Sequence, residues 1–491
     1  MAGDTAAAPD GTGCAIDVER ATGPYRSANR TPLTDVTGRP VGELSLAPPL
    51  LIRQVMDEMR AAPGQAADDR LAALARAGEL FATATLEGET PGTYCRRQAL
   101  VSGLPVAVAR RTLDRVARAG RAAADSLAAQ RPSGAVPLGD LSFGDLAAAG
   151  RTSAGAAVAW VRKGDVLGVL APGNHPATHV EWLGALALGY RVAVRPSQRD
   201  PFTPRRLVRA LREAGLAPGY VALLPTTHEH AEALVDRADL GLVYGGDPVV
   251  ARYAGSRRVL AQGPGRSKVL LTRDVSWRSH LDTVADSVAA DAGVQCLNAS
   301  AVLCEDDAPG LAHTLAERLA RLPLLAPDHP DAALPVRPLG EARRLAEQLH
   351  ESVGPRSAGA GEDPAERFPG ERFLADLGDG SAVLRPVVVP LDSPEDPRFG
   401  VELPLPYAAV APWGPGLRPA AFGRTLALTV LSEDADLVRE CVASPLIRNT
   451  HWGAVPTHWS RPGLPHDGAL AEFLMESKTF AGEAALRGPV R

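Results

Sequence analysis

The sequence predicts an α/β protein built on mostly parallel sheets, and three observations lead there. From Gly164 onward, short apolar runs alternate with amphipathic stretches. That order is expected when parallel strands are joined by helices that cover both faces of a sheet. A second stretch, from about residue 275 to 440, repeats the same α/β character. At 491 residues the chain exceeds one ordinary core, so two or three domains are expected.

Taken in order, residues 1 to about 40 read as loose, with scattered Gly, Pro, Thr and Asp. Residues from about 48 to 130 read as helical, with Ala-, Leu- and Arg-rich stretches at Asp68–Thr85 and Pro105–Gln130. Strands are then predicted at Val166–Ala171, Arg191–Val194, Tyr220–Leu224, Leu240–Tyr244 and Lys268–Leu271. Helices are predicted between them at His179–Leu188, Pro204–Ala214, Glu229–Ala238 and Val249–Ala254. Residues Gly354–Gly370 read as a surface loop.

Composition narrows the function classes. The chain is 45% hydrophobic and 22% charged, as a soluble globular protein is. A formal charge of −5 gives no reason to expect nucleic acid or an anionic membrane as partner. Cys14, Cys95, Cys296, Cys304 and Cys441 lie far apart, with no CxxC and no Cys/His metal spacing. That pattern points to reduced thiols in a cytoplasm and to no metal site. No apolar run is long enough to span a membrane, and Met1–Gly13 lacks the order of a signal peptide.

Cys296 is the candidate nucleophile. It lies in Asp291-Ala292-Gly293-Val294-Gln295-Cys296-Leu297-Asn298, after a helix-like stretch and before the apolar run Ala299–Leu303. A thiolate there can attack a carbonyl carbon and hold the acyl group as a thioester. Cys304 ends the apolar run and reads as a buried structural thiol.

Four turns follow strands or precede them. Pro172-Gly173-Asn174-His175-Pro176 ends the first strand, where open α/β sheets bind ligands. Asn174 either donates its amide to a developing oxyanion or caps the next helix. Arg195-Pro196-Ser197-Gln198 suits a cofactor's ribose or phosphate, or is a solvated turn. Gly245-Gly246 lets backbone approach a ligand, although Gly-Gly turns are common. Gln262-Gly263-Pro264-Gly265 by itself is an ordinary turn. Neither a G-x-G-x-x-G after the first strand nor a P-loop is present. His175 and His179 are either proton donors or structural histidines.

In this order and spacing, these segments resemble the aldehyde dehydrogenase superfamily, from about Gly164 to Asn449. Pro172–Pro176 is similar to the family's Pro-Trp-Asn-Phe-Pro, whose Asn supplies the oxyanion donor. Val194–Gln198 is similar to its Lys-Pro-Ser-Glu, which holds the adenosine ribose. Glu213–Gly219 is similar to its Glu-Ala-Gly-Leu-Pro-Pro-Gly. Gln295-Cys296 resembles its Gly-Gln-x-Cys with one spacer residue missing. Glu402-Leu403-Pro404-Leu405-Pro406 matches Glu-x-Phe-Gly-Pro at its ends, and that Glu binds the nicotinamide ribose in the family.

The departures point to one branch. Hydrolytic members place the water-activating Glu of Glu-Leu-Gly-Gly-Lys where Gln262 stands, and glutamine has no carboxylate to act as base. Gly263-Pro264-Gly265 and Gly245-Gly246 resemble segments of the acylating, coenzyme A-dependent branch. The resemblance therefore implies reduction of an activated acyl group to an aldehyde, with NADPH or NADH as cofactor. Coenzyme A or another thiol is the implied co-substrate, and an acyl-activating ligase or carrier protein a further partner. Arg195, Arg199 and Gln198 favour NADPH, since a Glu at Gln198 would repel a 2′-phosphate. The N-terminal extension and the tail resemble reductases of actinomycete secondary metabolism. Rival readings are a hydrolytic aldehyde dehydrogenase, an acyl-phosphate reductase and a non-catalytic subunit.

The implied architecture is a Rossmann-type cofactor domain, a second α/β catalytic domain and an oligomerising tail. The expected division is an N-terminal and helical part over 1–150, a dinucleotide-binding core over 151–271, a catalytic domain over 272–440 and a returning tail over 441–491. A homo-oligomer, dimer or tetramer, is implied by the resemblance. The segment Asn449–Trp459, dense in aromatics, is expected either to line an acyl pocket or to pack at a subunit contact.

Overall fold

The computed structural model describes residues 14–137, 156–353, 370–414, 417 and 419–481. The predicted loop Gly354–Gly370 lies outside these residues except for Gly370, as does the start of the chain through Gly13.

Two sheets organise the molecule. The first is seven-stranded, in the spatial order Val259–Gln262, Leu240–Tyr244, Val166–Leu170, Arg191–Arg195, Val221–Leu223, Val18–Arg20, Gly23–Tyr25. Its first five strands are parallel. They are short and apolar, and Leu167, Val192, Ala193 and Val194 are fully buried. Burial on both faces is what a helix-covered parallel sheet demands of its residues. The chain runs from Val166–Leu170 outward through two strands, then returns to place Leu240–Tyr244 on the other side of Val166–Leu170. A crevice opens at such a reversal, beyond the carboxyl ends of the two strands.

The second sheet has six parallel strands in the order Val387–Pro390, Tyr407–Pro412, Ala299–Cys304, Ser267–Leu271, Thr425–Leu431, Ile447–Trp452. Separate apolar clusters pack on its faces, with Leu270, Leu303 and Leu428 in one and Val269, Val302 and Leu431 in another. Alternate residues of one strand therefore serve opposite sides, as the pleat requires.

The predicted helical region holds five helices, Pro49–Ala61, Ala67–Thr83, Pro91–Ser102, Val106–Arg121 and Ala123–Gln130. Pro91–Ser102 has clear punctuation: the Thr90 hydroxyl accepts from the Thr93 N–H, and Gly103 ends the helix in a left-handed conformation.

Four expectations need correction. Residues 14–45 are not loose; Val18–Arg20 and Gly23–Tyr25 extend the first sheet, and Cys14–Ile16, Arg30–Thr34 and Pro40–Ser45 form another. These strands are too short and too Gly/Pro-rich to show a period, and tertiary pairing creates them. Ser267–Leu271 pairs within the second sheet and not with the strands of the expected dinucleotide-binding core. Gly263-Pro264-Gly265 links the last strand of the first sheet to a central strand of the second. The second sheet also runs past residue 440, through Ile447–Trp452. Finally, Ala156–Arg162 is a strand of neither large sheet; it pairs antiparallel with the tail strand Met475–Ala481 and parallel with Ala135–Pro137.

That last pairing sets the path of the tail. To reach Met475–Ala481 from Ile447–Trp452, residues 453–469 lie over the cleft between the sheets, where several of them line the cavity described next.

Candidate functional site

A cavity of about 1340 Å³ occupies the crevice between the two sheets. Pro172, Gly173 and Asn174 enter its wall from the end of Val166–Leu170, and Tyr244, Gly245 and Gly246 from the end of Leu240–Tyr244. Gln262, Gly263 and Pro264 come from the interdomain turn, Gln295 and Cys296 from the loop before Ala299–Cys304, and Glu402 from the turn before Tyr407–Pro412. Turns about 230 residues apart in sequence thus meet at one cavity, because the carboxyl edge of the first parallel sheet lies against the amino edge of the second.

The loop carrying Cys296 is held from several sides. Asp291, Ala292 and Gly293 all have positive φ, of 49°, 68° and 67°. Ala292 in that region costs roughly 1–2 kcal/mol, so surrounding contacts must hold the turn. The Asn298 side chain supplies some, accepting from the Gln295 N–H at 2.8 Å and donating to the Ser287 and Ala290 carbonyls. Asp291 supplies the rest: its carboxylate accepts from Gln295 Nε2 at 2.8 Å, His175 Nε2 at 3.0 Å, Arg111 Nε at 2.6 Å and Arg115 at 2.9 Å. Burial alone would raise the Asp291 pKa, but the His175 hydrogen bond and the two guanidinium charges hold it well below the usual range.

Cys296 itself is half-buried. Burial pushes its thiol up to about 12, and the carboxylates of Glu402, Asp467 and Glu181 add to the effect, while its own backbone N–H opposes it. His466, from the crossing tail, places Nε2 at 3.6 Å from Sγ. Gly265 packs against the backbone of Cys296: a Cβ there would lie 2.7 Å from the Cys296 carbonyl carbon and closer still to its oxygen.

The expected site residues fare differently. Asn174 does not cap the next helix; His175 does, accepting the Ala177 N–H at Nδ1. Asn174 instead donates one amide hydrogen to the Val294 carbonyl at 2.9 Å, two residues before Cys296, which leaves its second hydrogen. His175 is engaged at both ring nitrogens, and burial lowers its pKa. His179 accepts from Trp182 Nε1 at 3.0 Å and faces Asp200 at 3.4 Å. Both histidines therefore serve structure. Cys304 is buried, with Sγ on the Asp306 carbonyl.

Arg195, Pro196, Ser197 and Gln198 do not reach the cavity wall but sit directly behind it; the Ser197 hydroxyl fills the space a side chain at Gly173 would need. The charge argument built on the two arginines does not hold. Arg195 is buried and turned toward the Thr226 carbonyl, and Arg199 pairs with Glu341 at 2.6 Å. Glu402 is on the wall, but Oε2 accepts the Arg266 N–H at 2.9 Å, with the Gly265 N–H also directed to the carboxylate. Burial nevertheless raises its pKa. The aromatic tail is split: His451, His458 and Trp459 line the cavity, whereas Trp452 lies outside and donates to the Ser432 carbonyl.

Two cavity residues escaped the sequence reading. Tyr244 places a buried hydroxyl without a hydrogen-bond partner there, and its pKa is raised by burial, then by Glu181, Cys296 and Asp467. His466 stands in a Pro/Gly-rich stretch, Arg461–Gly468, that carries no local signal of chemistry. Among the described residues no group of His, Cys, Asp or Glu is arranged to hold a metal ion, and no helix is long and apolar enough to cross a membrane.

A model of the aldehyde dehydrogenase family matches residues 32–356. The chain belongs to the aldehyde dehydrogenase family. Solved structures agree in fold. A putative aldehyde dehydrogenase from Burkholderia cenocepacia superposes with a TM-score of 0.77 at 16% identity, covering 97% of this chain and 98% of that one. An indole-3-acetaldehyde dehydrogenase from P. syringae, solved with NAD+ and IAA, gives 0.76 at 16% identity, covering 94% and 96%.

Curated relatives match over shorter stretches. Malonate-semialdehyde dehydrogenase 2 of Bacillus mycoides is 26% identical over 151 residues, 29% of this chain and 31% of the relative. N-succinylglutamate 5-semialdehyde dehydrogenase 2 of Caulobacter vibrioides is 29% identical over 276 residues, 51% and 52% of the two chains. The chain thus spans between about a third and a half of the length of these aldehyde dehydrogenase relatives.

A nicotinamide dinucleotide fits the residues present. The crevice lies at the reversal of strand order, and the Gly245-Gly246 turn brings backbone to its wall. A Cβ at Gly246 would meet nothing nearer than 3.7 Å, so that stretch of wall is open to a ligand. Pro172, Gly173, Gly245, Gly246, Gly263 and Pro264 would hold it on the first-sheet side.

Proposed function

We propose that this aldehyde dehydrogenase is of the acylating kind, reducing an activated acyl group to an aldehyde, reversibly, through a thioester on Cys296. One observation carries the reading: Gln262 shares the cavity wall with Cys296, and by the sequence resemblance it stands in the place of the water-activating glutamate of hydrolytic members. An amide cannot accept a proton from water at neutral pH. A thioester on Cys296 then persists until a thiol or hydride takes the acyl group.

The chain's residues divide the remaining work. The bound dinucleotide, NADPH or NADH, supplies the hydride chemistry. Sγ of Cys296 attacks the acyl carbon, and the second amide hydrogen of Asn174 is available to the developing oxyanion; removing one such donor costs about 3–4 kcal/mol in favourable cases. The Val294 carbonyl aims the Asn174 amide, and the Asp291 cluster holds the loop that presents the sulfur. Gln198 lacks the carboxylate that would repel a 2′-phosphate, which is the argument left for NADPH over NADH. Turnover compared with the two cofactors decides it; a clear NADH preference removes that argument.

The second reading is oxidation of an aldehyde to its acid. It is favoured by the carboxylates of Glu181, Glu402 and Asp467, all near enough to Cys296 to raise its pKa. Any one of them could replace the missing base. Mass spectrometry of the protein with a panel of acyl thioesters tests both. Stable acyl adducts on Cys296 support the acylating reading. Fast steady-state aldehyde oxidation in thiol-free buffer, without an adduct, refutes it. The names of the relatives make carboxylate-bearing short acyl groups natural members of the panel.

A further inference from the structure

We propose that His466 accepts the proton of the Cys296 thiol, so that the nucleophile works as a cysteine–histidine pair. The inference rests on Cys296 being the nucleophile and holds for either direction of the chemistry.

The geometry points to it first. Nε2 of His466 lies 3.6 Å from Sγ, within reach of a sulfur hydrogen bond. His466 is also clamped. Asn449 Nδ2 donates to the His466 carbonyl at 2.6 Å and to the Leu426 carbonyl at 2.8 Å. The next residue, Asp467, pairs with Arg448 at 3.4 Å. The Leu426 N–H in turn binds the Gly265 carbonyl at 2.8 Å, and Gly265 packs on the Cys296 backbone. A closed ring of contacts thus holds the backbone that carries the imidazole beside the sulfur, with Asn449 on the edge strand Ile447–Trp452 as its positioning residue.

The surroundings of the sulfur supply the need. Tyr244, Glu181, Glu402, Asp467 and His466 are the titratable groups that face it. Three are acids whose ionised forms repel a thiolate, and Asp467 carries Arg448 as its counter-ion. Glu402 is held by the backbone N–H groups of Gly265 and Arg266. Among the described residues no cation contacts Sγ to stabilise a standing thiolate. A thiol in that setting is activated by handing its proton to a neighbouring base as it attacks.

The step balances. The S–H proton moves to Nε2, and the sulfur lone pair forms the C–S bond. The carbonyl π pair moves to oxygen and returns as the bond to the donor's leaving group breaks. The leaving group departs with the proton from Nε2. Nothing is oxidised or reduced in this exchange.

Iodoacetamide alkylation of Cys296, followed by peptide mass spectrometry across pH, tests the pair without substrate or cofactor. His466→Gln keeps size and polarity but cannot take a proton. The variant is expected to lose about 10²-fold of the alkylation rate at pH 7 and to recover it in alkali. His466→Ala is expected to lose the rate likewise and to regain part of it with added imidazole, which a packing role would not allow. Unchanged profiles in both variants overturn the proposal. Should neither variant fold, the native chain decides: a rate that rises only in strong alkali overturns it. Acyl capture that persists when the pair fails leaves the acylating reading standing. Loss of acyl capture with intact alkylation refutes that reading and leaves the pair.

Discussion

Gly265→Ala probes how tightly the cofactor side and the nucleophile are coupled. Gly265 does not have positive φ, so an alanine there is conformationally allowed and the perturbation is purely steric. Its Cβ would lie 2.7 Å from the Cys296 carbonyl carbon, 3.1 Å from the Cys296 Cβ, and closest to the carbonyl oxygen. The atoms it meets first are backbone, so a rotamer change cannot relieve the clash. Restoring van der Waals distance requires the two segments to separate by more than about 1 Å. Gly265 cannot retreat easily, since its carbonyl accepts from Leu426 and its N–H faces Glu402. The Cys296 loop therefore moves. Overpacking of this kind costs about 1–3 kcal/mol of stability, and a 1 Å misplacement of a reacting group costs about 10²-fold in rate. The assay pairs a thermal melt with the rate of acyl capture on Cys296. Gly64→Ala, outside the cavity, is the control, because its Cβ meets nothing within 4 Å. A folded Gly265→Ala variant that captures acyl groups within twofold of the native rate refutes the reasoning.

Three further outcomes are expected. Cys296→Ala abolishes the acyl adduct while leaving the melt nearly unchanged; an adduct that persists places the nucleophile elsewhere. Gln262→Glu puts a carboxylate at position 262 and accelerates hydrolysis of the Cys296 thioester by about 10²–10⁴-fold, measured as decay of the adduct in buffer; unchanged decay removes the argument from Gln262. Asp291→Asn removes the carboxylate charge that Arg111, Arg115 and His175 share and, because both guanidiniums keep access to solvent, destabilises by about 1–3 kcal/mol. Because the folded-state pKa is depressed, that stabilisation is complete above the unfolded aspartate value of about 3.9 and is lost as pH falls toward the folded one. The melting gap to native protein should stay constant from neutral pH to about pH 4 and narrow only below it; a gap that closes at neutral pH contradicts the assignment.

The part of the cavity wall that the first sheet supplies was legible because its residues follow strands with strong local signals. Pro172–Asn174 and Gly245-Gly246 each come directly after an apolar run, and the edge of a parallel sheet brings such ends together whatever the loops do. The arginine argument failed for the opposite reason. Arg195 and Arg199 were read as free charges, but a sequence does not show that one is folded inward and the other meets Glu341, 142 residues away.

Cys296, Gln262 and the alternation of strands and helices are properties of the chain alone, since they rest on residue type and local period. Those suffice to determine the α/β class and to nominate a candidate nucleophile. The tertiary structure decided what surrounds that nucleophile. Glu181, Tyr244, Glu402 and His466 each stand about 60 to 160 residues from the next along the chain, and only sheet order and the return of the tail to Ala156–Arg162 bring them to one sulfur. Local propensity carries no information about such crossings, because the contacts that fix them form between segments distant in sequence.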